Sequence, residues 1–231
     1  MAIRLAVFDV AGTTVRSGGG AVQRAMHAAI AAAGLELRPG AMAGVTGMAK
    51  PQAIRTLLEG HGRLELIDRT DAIHADFVAR MRRYYQDDPG VAPVDGALQT
   101  FAVLRDAGVR VALNTGFSRV ILDEVLARLE WSGAGSPVDF TIASDEVKRG
   151  RPHPDMIDAL RARIGGAAPA DVVKIGDTPI DLYEGTMARC GLVVGVLSGA
   201  HDLDSLMQHP NDALVASVAD LPRLLRERGL L

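Results

Sequence analysis

Three aspartates stand where they could share one reaction or one metal ion. Asp9 ends a short apolar run, IRLAVFD, and Asp177 ends a later one, VVKIGD. Asp181 follows four residues further along. Parallel strands deliver their carboxyl ends to one crevice, so we expect the three carboxylates to meet there. Such a cluster raises its own pKa values, and a hard divalent cation, Mg²⁺, would relieve the repulsion. The alternative is that Asp177 and Asp181 only cap the helix that begins near Pro179.

The neighbouring motifs fit a phosphoryl group. Thr115 and Gly116, in NTGFS, offer a hydroxyl and a backbone N–H just ahead of a predicted helix, and the two can hold a phosphoryl oxygen. The basic stretch KRGRPHPD adds Arg151, whose guanidinium could orient a nucleophile and bind the phosphoryl group. Alone, NTGFS would only cap a helix, and we expect Lys148 and Arg149 to lie in a solvated loop.

The elements that must position these residues are strands alternating with helices. Apolar runs of strand length recur along the chain at 3–9, 109–114, 139–143, 172–177 and 191–196. Asp95 and Ser118 are candidate N-caps of two of the intervening helices. This alternation predicts an α/β fold with a doubly wound, Rossmann-like parallel sheet.

One long segment interrupts the alternation with helical patterns alone. The predicted helices there are 21–33, one from Pro51 and one near 65–86. The predicted domains are therefore an α/β core of residues 1–15 and 93–231 and an inserted helical cap, or lid, of residues 16–92. Because the insertion begins just after Asp9, the cap would lie over the crevice at the strand ends.

The composition limits the classes of partner that the protein could bind. Of 231 residues, 48% are hydrophobic and 23% are charged, as in globular proteins. A net charge of −3 without a long basic run argues against nucleic acid. No apolar run reaches the roughly 18 residues of a membrane span, and we expect no signal peptide. The single Cys190 excludes an internal disulfide and fits a reducing compartment. We expect a cytoplasmic protein that binds neither nucleic acid nor a membrane.

Taken together and in this order, the motifs resemble those of the haloacid dehalogenase superfamily, chiefly its phosphatases. The four motifs would be DVAGT (9–13), NTG (114–116), GRPHPD (150–155) and GDTPID (176–181), which span nearly the whole chain. The resemblance implies that Asp9 attacks phosphorus to form an aspartyl-phosphate. It also implies that Mg²⁺ is bound by Asp9, by the backbone carbonyl of Ala11 and by Asp177.

The same resemblance assigns the other residues. Asp181 would act one layer behind the metal ligands, and Arg151 stands where many members have Lys. The residues implied to contact the phosphoryl group are Ala11, Gly12, Thr13, Thr115, Gly116 and Arg151.

Ala11 stands where phosphatases of the superfamily normally have Asp. That Asp protonates the leaving alkoxide and later activates water, and general acid–base catalysis of this kind contributes about 10²–10⁴ in rate. Alanine can donate nothing. Either the enzyme is weak, or its leaving group is activated in another way.

Lys50 suggests another way to activate the leaving group. In VTGMAKPQAI it lies in the predicted cap, just before a helix opened by Pro51. The positive end of the helix dipole, with Mg²⁺ and Arg151 nearby, disfavours its charged form. A neutral lysine can attack an aldehyde to form a Schiff base, whose iminium accepts the electrons of a breaking P–C bond. No oxyanion then needs a proton from position 11. The alternative is an ordinary solvent-facing lysine.

Within the superfamily the chain resembles the phosphonoacetaldehyde hydrolases, or phosphonatases. Their Asp-x-Ala-Gly-Thr motif, their Arg in the third motif and their cap lysine after a Gly-x-x step are matched by DVAGT, GRP and GMAK. Thr46 and Ala53 differ, since family members commonly have Met four residues before the lysine and His three after it. The implied activity is Mg²⁺-dependent cleavage of the P–C bond of phosphonoacetaldehyde or a close analogue, through Asp9 and Lys50.

Two other functions stay open. One is a phosphomonoesterase that acts on a small phosphorylated metabolite, with Lys50 only binding the substrate. The other is a weakly catalytic phosphometabolite-binding module whose cap closure signals to a partner. Dehalogenation fits less well, because the aspartates and NTG suit a metal and a phosphoryl group. An apolar cap helix could serve a homodimer.

Overall fold

A six-stranded parallel sheet forms the centre of the computed structural model, which describes residues 2–16 and 20–231. The strands are β1 (Leu5–Asp9), β2 (Arg110–Thr115), β3 (Phe140–Ala143), β4 (Val172–Gly176), β5 (Leu192–Val196) and β6 (Ala213–Val215). Their order in the sheet is β3-β2-β1-β4-β5-β6. This confirms the predicted α/β fold. The sequence did not predict β6, because its three half-buried residues are too few to show an alternating pattern.

Helices cover both faces of the sheet. They are α1 (Ala21–Ala32), α2 (Lys50–Gly60), α3 (Thr70–Asp87), α4 (Ala97–Asp106), α5 (Arg119–Arg128), α6 (Asp155–Arg163), α7 (Pro179–Met187), α8 (Leu203–Leu206) and α9 (Leu221–Glu227). Side chains of β1 alternate between the two faces. Ala6 and Phe8 join the cluster that contains the apolar residues of α4, α5 and α9, whereas Leu5 and Val7 pack with those of α6. Both faces of β1 are therefore buried against apolar side chains.

The segment between β1 and α4 contains α1, α2, a 3₁₀ helix (Leu64–Arg69) and α3. Helix α3 buries Ile73, Phe77, Met81 and Tyr85, a four-residue spacing that places them on one helical face. That helix contacts α1 and α2 within the segment and α5 of the core. The helix predicted near 65–86 is thus divided at Thr70 into a 3₁₀ helix and α3.

The two connections between this segment and the sheet run side by side. Val94 donates its N–H to the carbonyl of Thr14 at 2.9 Å, and Arg16 donates its N–H to that of Ala92 at 2.9 Å. The predicted domain boundaries, after residue 15 and before residue 93, fall at this crossing and stay a prediction.

One predicted N-cap is wrong and one position is confirmed. Gly96, with φ 80°, caps α4, because glycine tolerates a left-handed conformation that Asp95 would adopt only with strain. The Asp95 carboxylate instead pairs with Arg16 Nη2 at 2.5 Å. Ser118 does precede α5 as its N-cap residue, although its hydroxyl makes no capping hydrogen bond. Within residues 2–16 and 20–231, no helix has the length and apolarity needed to cross a membrane.

Substitution of Phe101 tests how much the buried face of α4 stabilises the fold. Its ring centroid lies 5.1 Å from that of Phe8 and 5.6 Å from that of Trp131. Phe101→Ala should lower the free energy of unfolding by about 3–5 kcal/mol in urea denaturation, because the truncation leaves a cavity. Leu98→Ala on the same helix, where the side chain is 42% exposed, should change it by no more than about 0.5 kcal/mol. Equal losses would contradict this packing.

Candidate active site

Three carboxylates meet at the carboxyl edge of the sheet. Asp9 is the last residue of β1, Asp177 follows β4 directly, and Asp181 lies in the first turn of α7. One oxygen from each lies within 4.8 Å of the others, and all three residues are buried. The structure therefore brings together the cluster that the sequence predicted.

The turn after β1 is shaped around Asp177. Thr13 donates its hydroxyl to Asp177 Oδ1 at 2.8 Å, and the N–H of Ala200 donates to Oδ2 at 2.7 Å. Gly12 has φ 96°, and a Cβ there would lie 3.0 Å from Asp177 Cγ. The turn can approach the carboxylate this closely because it has a glycine. The sequence did not predict that the loop around Ala200 contacts Asp177, because the contact is made by a backbone N–H and does not depend on the residue type.

The pKa shifts differ among the three carboxylates of the cluster. Burial, then the charges of Asp9 and Asp181, raise the pKa of Asp177. Burial, then Asp181, likewise raise the pKa of Asp9. Burial would also raise the pKa of Asp181, but the charges of Arg151 and Lys174 outweigh it, so this pKa is lowered. Asp9 and Asp177 are thus the pair that a divalent cation would stabilise.

The capping hypothesis holds for one aspartate. Thr178 is the N-cap of α7: its hydroxyl accepts from the N–H of Asp181 and its own N–H donates to Asp181 Oδ2, each at 3.3 Å, which forms a capping box. The Thr178 hydroxyl also donates to Asp181 Oδ2 at 2.6 Å. The other oxygen of Asp181 faces Arg151 and Lys174, each at 2.9 Å. Asp177 lies outside the helix and does not cap it. Asp181 therefore both caps the start of α7 and belongs to the site.

Arg151 is fully buried against the nucleophile candidate. Its Nη1 lies 2.5 Å from Asp9 Oδ1, and its Nη2 donates to the carbonyl of Asn114 at 2.7 Å and to Asn114 Oδ1. Its Nε lies 3.0 Å from Glu184 Oε2 as an ion pair. Because the guanidinium nitrogens face protein acceptors, this geometry favours orienting Asp9. Arg149, by contrast, is exposed and pairs with Asp155, as expected of a solvated loop.

Sequence reasoning missed two charged residues behind this site. Lys174 on β4 and Glu184 on α7 are fully buried and lie 3.2 Å apart, Nζ to Oε2. Glu184 accepts two hydrogen bonds from the Asn114 amide, at 2.8 and 2.9 Å. The available signal was a lysine inside the strand VVKIG, since lysine is almost never fully buried unless it is paired.

Lys50 is the first residue of α2 and is only 5% exposed, so the solvent-facing alternative is wrong. Its Nζ donates to the carbonyl of Met48 at 3.0 Å and lies 5.3 Å from the centroid of the Phe117 ring. Burial lowers its pKa to about 8, with Asp9 opposing and Arg151 adding to the shift. The sequence predicted this direction from the helix dipole and nearby cations, but desolvation is the largest cause.

Glycines let the loop before Lys50 rest on the core. A Cβ at Gly116 would lie 2.6 Å from the carbonyl oxygen of Gly47, and one at Gly150 would lie 2.8 Å from Ala49 Cβ. Real Cβ atoms do not approach so closely, so side chains at these glycines would push the loop away. A cavity of about 40 Å³ is lined by residues of the loop and of the core, including Asp9, Ala11, Lys50, Thr115, Gly116 and Asp177.

Comparison with known proteins identifies the class. Residues 3–186 match the family model of the haloacid dehalogenase-like hydrolases. The chain belongs to this family and is a hydrolase. Members generally use a metal ion, and the aspartate cluster could bind one.

Individual relatives show which members of the family this chain resembles. The phosphonoacetaldehyde hydrolase of Bordetella pertussis is 31% identical over 207 residues, which cover 84% of this chain and 72% of that protein. The one from Bacteroides fragilis is 28% identical and covers 93% and 83%. A solved structure of a phosphonoacetaldehyde hydrolase-like protein from Oleispira antarctica has a TM-score of 0.81 at 21% identity, covering 97% of this chain and 92% of that one. This last match supports the fold.

Asp177→Asn tests whether the charge of Asp177 destabilises the metal-free protein and whether it binds Mg²⁺. The variant keeps the hydrogen bonds, because the amide oxygen can accept from Ala200 and the amide N–H can donate to Thr13. Since the folded pKa of Asp177 is raised, the metal-free protein loses stability as pH rises through it, and the neutral variant does not. At pH 8 without divalent ions, the variant should melt at or above the wild-type temperature.

Adding Mg²⁺ should reverse that order. At 100 times Kd a bound ion stabilises the folded wild type by about 2.7 kcal/mol, and the Asn variant should gain far less. Asp204→Asn, an exposed substitution, should respond to Mg²⁺ like the wild type. Equal Mg²⁺-induced shifts in wild type and Asp177→Asn would rule out Asp177 as a ligand.

Proposed function

We propose that this protein is a Mg²⁺-dependent hydrolase that cleaves the P–C bond of phosphonoacetaldehyde or a close analogue. One observation carries the proposal: Asp9 and Lys50 line the same small cavity, where Ala11 replaces an acid. The titratable residues among those described as lining it are Asp9, Lys50, Arg151 and Asp177. Arg151 is committed to ion pairs and Asp177 suits a cation, so Lys50 is the group left to react with a carbonyl.

The metal site would consist of Asp9, the backbone carbonyl of Ala11 and Asp177. These are hard oxygen donors, and burial together with the neighbouring carboxylates raises the pKa values of both Asp9 and Asp177, although Arg151 contacts Asp9. This donor set fits Mg²⁺, which supplies charge neutralisation at the developing phosphoryl group. Asp181 would stay with Arg151 and Lys174 behind the ligands.

Phosphoryl transfer would begin at Asp9. Because Arg151 Nη1 holds Oδ1, Oδ2 is the oxygen placed to attack phosphorus. Thr115 accepts a hydrogen bond from the N–H of Phe117 at 3.1 Å, so its own hydroxyl hydrogen can turn to a phosphoryl oxygen. The N–H of Gly116 lies on the same strand end, and Gly12 and Thr13 shape the opposite side. The product of this step is an aspartyl-phosphate, which water then hydrolyses.

Lys50 would prepare the leaving group. Its neutral amine adds to the aldehyde carbon and expels water, and the resulting imine takes up a proton. As Asp9 forms the P–O bond, the P–C electrons move into this iminium and give an enamine. Protonation at carbon and hydrolysis then release acetaldehyde and free the lysine. Position 11 donates no proton in this sequence, which is why Ala11 is compatible with activity.

The relatives support this assignment. Those from Bordetella pertussis and Bacteroides fragilis are named phosphonoacetaldehyde hydrolases, and each match covers most of both chains. Thr46, which lines the cavity, and Ala53, which is buried in α2, differ from the family pattern, so close analogues belong to the proposed substrate class. A cytoplasmic location and a homodimer stay predictions.

Substitution of Lys50 should distinguish the proposal from a phosphomonoesterase. Lys50→Met and Lys50→Arg should both abolish turnover of phosphonoacetaldehyde, because neither side chain forms an imine. Turnover of 4-nitrophenyl phosphate, whose leaving group needs no acid, should survive in both variants. A lysine that only binds substrate would instead give a raised KM in Lys50→Met, an unchanged kcat, and partial rescue in Lys50→Arg. Ligand binding by the wild type without turnover of either substrate would favour the binding module.

The pH dependence follows from the same amine. Because the pKa of Lys50 is lowered to about 8, the ammonium dominates below pH 8 and the reactive amine above it. Steady-state kcat/KM for phosphonoacetaldehyde should therefore rise with pH up to about 8 and then level off. The 4-nitrophenyl phosphate profile should lack this ascending limb. The same limb for both substrates would place the titration elsewhere.

A further inference from the structure

Two buried cations share the same three acceptors behind Asp9. Lys174 Nζ lies 2.8 Å from Asn114 Oδ1, 2.9 Å from Asp181 Oδ1 and 3.2 Å from Glu184 Oε2. Arg151 reaches these same three atoms through Nη2, Nη1 and Nε respectively. The contact with Asn114 is a hydrogen bond and those with Asp181 and Glu184 are ion pairs, so three acceptors converge on one ammonium group.

The shared acceptors determine where the guanidinium lies. A guanidinium is planar, and its five N–H bonds point in fixed directions. Three of these N–H bonds make hydrogen bonds, to Asn114 Oδ1, to the carbonyl of Asn114 at 2.7 Å and to Asp9 Oδ1 at 2.5 Å. Nη1 and Nε also form ion pairs with Asp181 and Glu184. A shift of the acceptors would therefore turn the N–H that meets Asp9.

Lys174 also balances the charge of this group. Arg151 and Lys174 carry two positive charges, and Asp181 and Glu184 carry two negative ones, all with fully buried side chains. Without Lys174 the two carboxylates would compete for Arg151 alone. The guanidinium would then be drawn toward them and away from Asp9.

We propose that Lys174 is a positioning residue, which together with Glu184 holds Arg151 so that one N–H reaches Asp9. This role rests on the proposed function only in taking Asp9 as the nucleophile. Lys174 lies on β4 beside β1, paired in register with Val7, so its main chain is fixed relative to the strand that carries Asp9. It touches no part of the cavity and needs no contact with substrate.

The test compares Lys174→Met, the double variant Lys174→Met/Glu184→Gln and the control Lys148→Met. The double variant removes one charge of each sign, so it stays folded even if the single variant does not. Lys148 is exposed on the loop before Arg151, and its substitution should change nothing. The measurements are the melting temperature, kcat and KM for 4-nitrophenyl phosphate, and a crystal structure of each folded variant.

The double variant should melt near the wild type but lose about 10²-fold in kcat, the scale expected for a misplaced reacting group. Its KM should stay within a few-fold, and its structure should show Arg151 Nη1 displaced from Asp9. A merely structural ion pair predicts the opposite, with activity recovering along with stability. Wild-type kcat, or Arg151 still in place on Asp9, would overturn the proposal.

The proposed function can fail separately. If wild-type protein cleaves 4-nitrophenyl phosphate but not phosphonoacetaldehyde, the P–C assignment is wrong and the kinetic comparison of Lys174 variants still applies. If it turns over neither, the crystal structures alone decide whether Lys174 sets the position of Arg151.

Discussion

The division of charge at the carboxyl edge of the sheet is the constraint on which the site depends. Behind Asp9, the buried side chains of Arg151, Lys174, Asp181 and Glu184 neutralise one another through direct contacts. Burying an ion costs several kcal/mol unless it is paired, so this group must remain complete. Arg151 also contacts Asp9, whereas Asp177 has no ion pair with a cation among the residues that the structure describes. In the proposed mechanism, a bound cation offsets the charges of Asp9 and Asp177 beside an incoming phosphoryl group.

The cap supplies what the sheet lacks. Its loop rests on the glycines of the core and buries Lys50 at the cavity, where burial makes the neutral amine accessible near neutral pH. A carboxylic acid at position 11 would let the core complete ester hydrolysis alone. In the proposed mechanism the core with Ala11 forms an aspartyl-phosphate, and activation of a carbon leaving group falls to the predicted cap. The cap lysine and the alanine are therefore two parts of one proposed mechanism.

Much of this arrangement could be predicted from sequence, because the relevant signals are local. The apolar runs ending in Asp9 and Asp177 predicted parallel strands whose carboxyl ends meet. Lys174 escaped detection because a lysine in a five-residue strand carries no sign of its partners, which come from a distant helix and another strand. Likewise the burial of Lys50 depends on packing against Phe117, so its dominant cause could not be predicted from the helix start alone.

The Lys50 amine offers the most direct test of the proposed mechanism. Incubation with phosphonoacetaldehyde and Mg²⁺, reduction with borohydride and peptide mass mapping would reveal a covalent imine as a stable secondary amine. We expect a substrate-derived adduct on the peptide containing Lys50, formed in wild type and Asp9→Asn but absent from Lys50→Arg. No adduct on Lys50, together with turnover of simple phosphate esters, would contradict it.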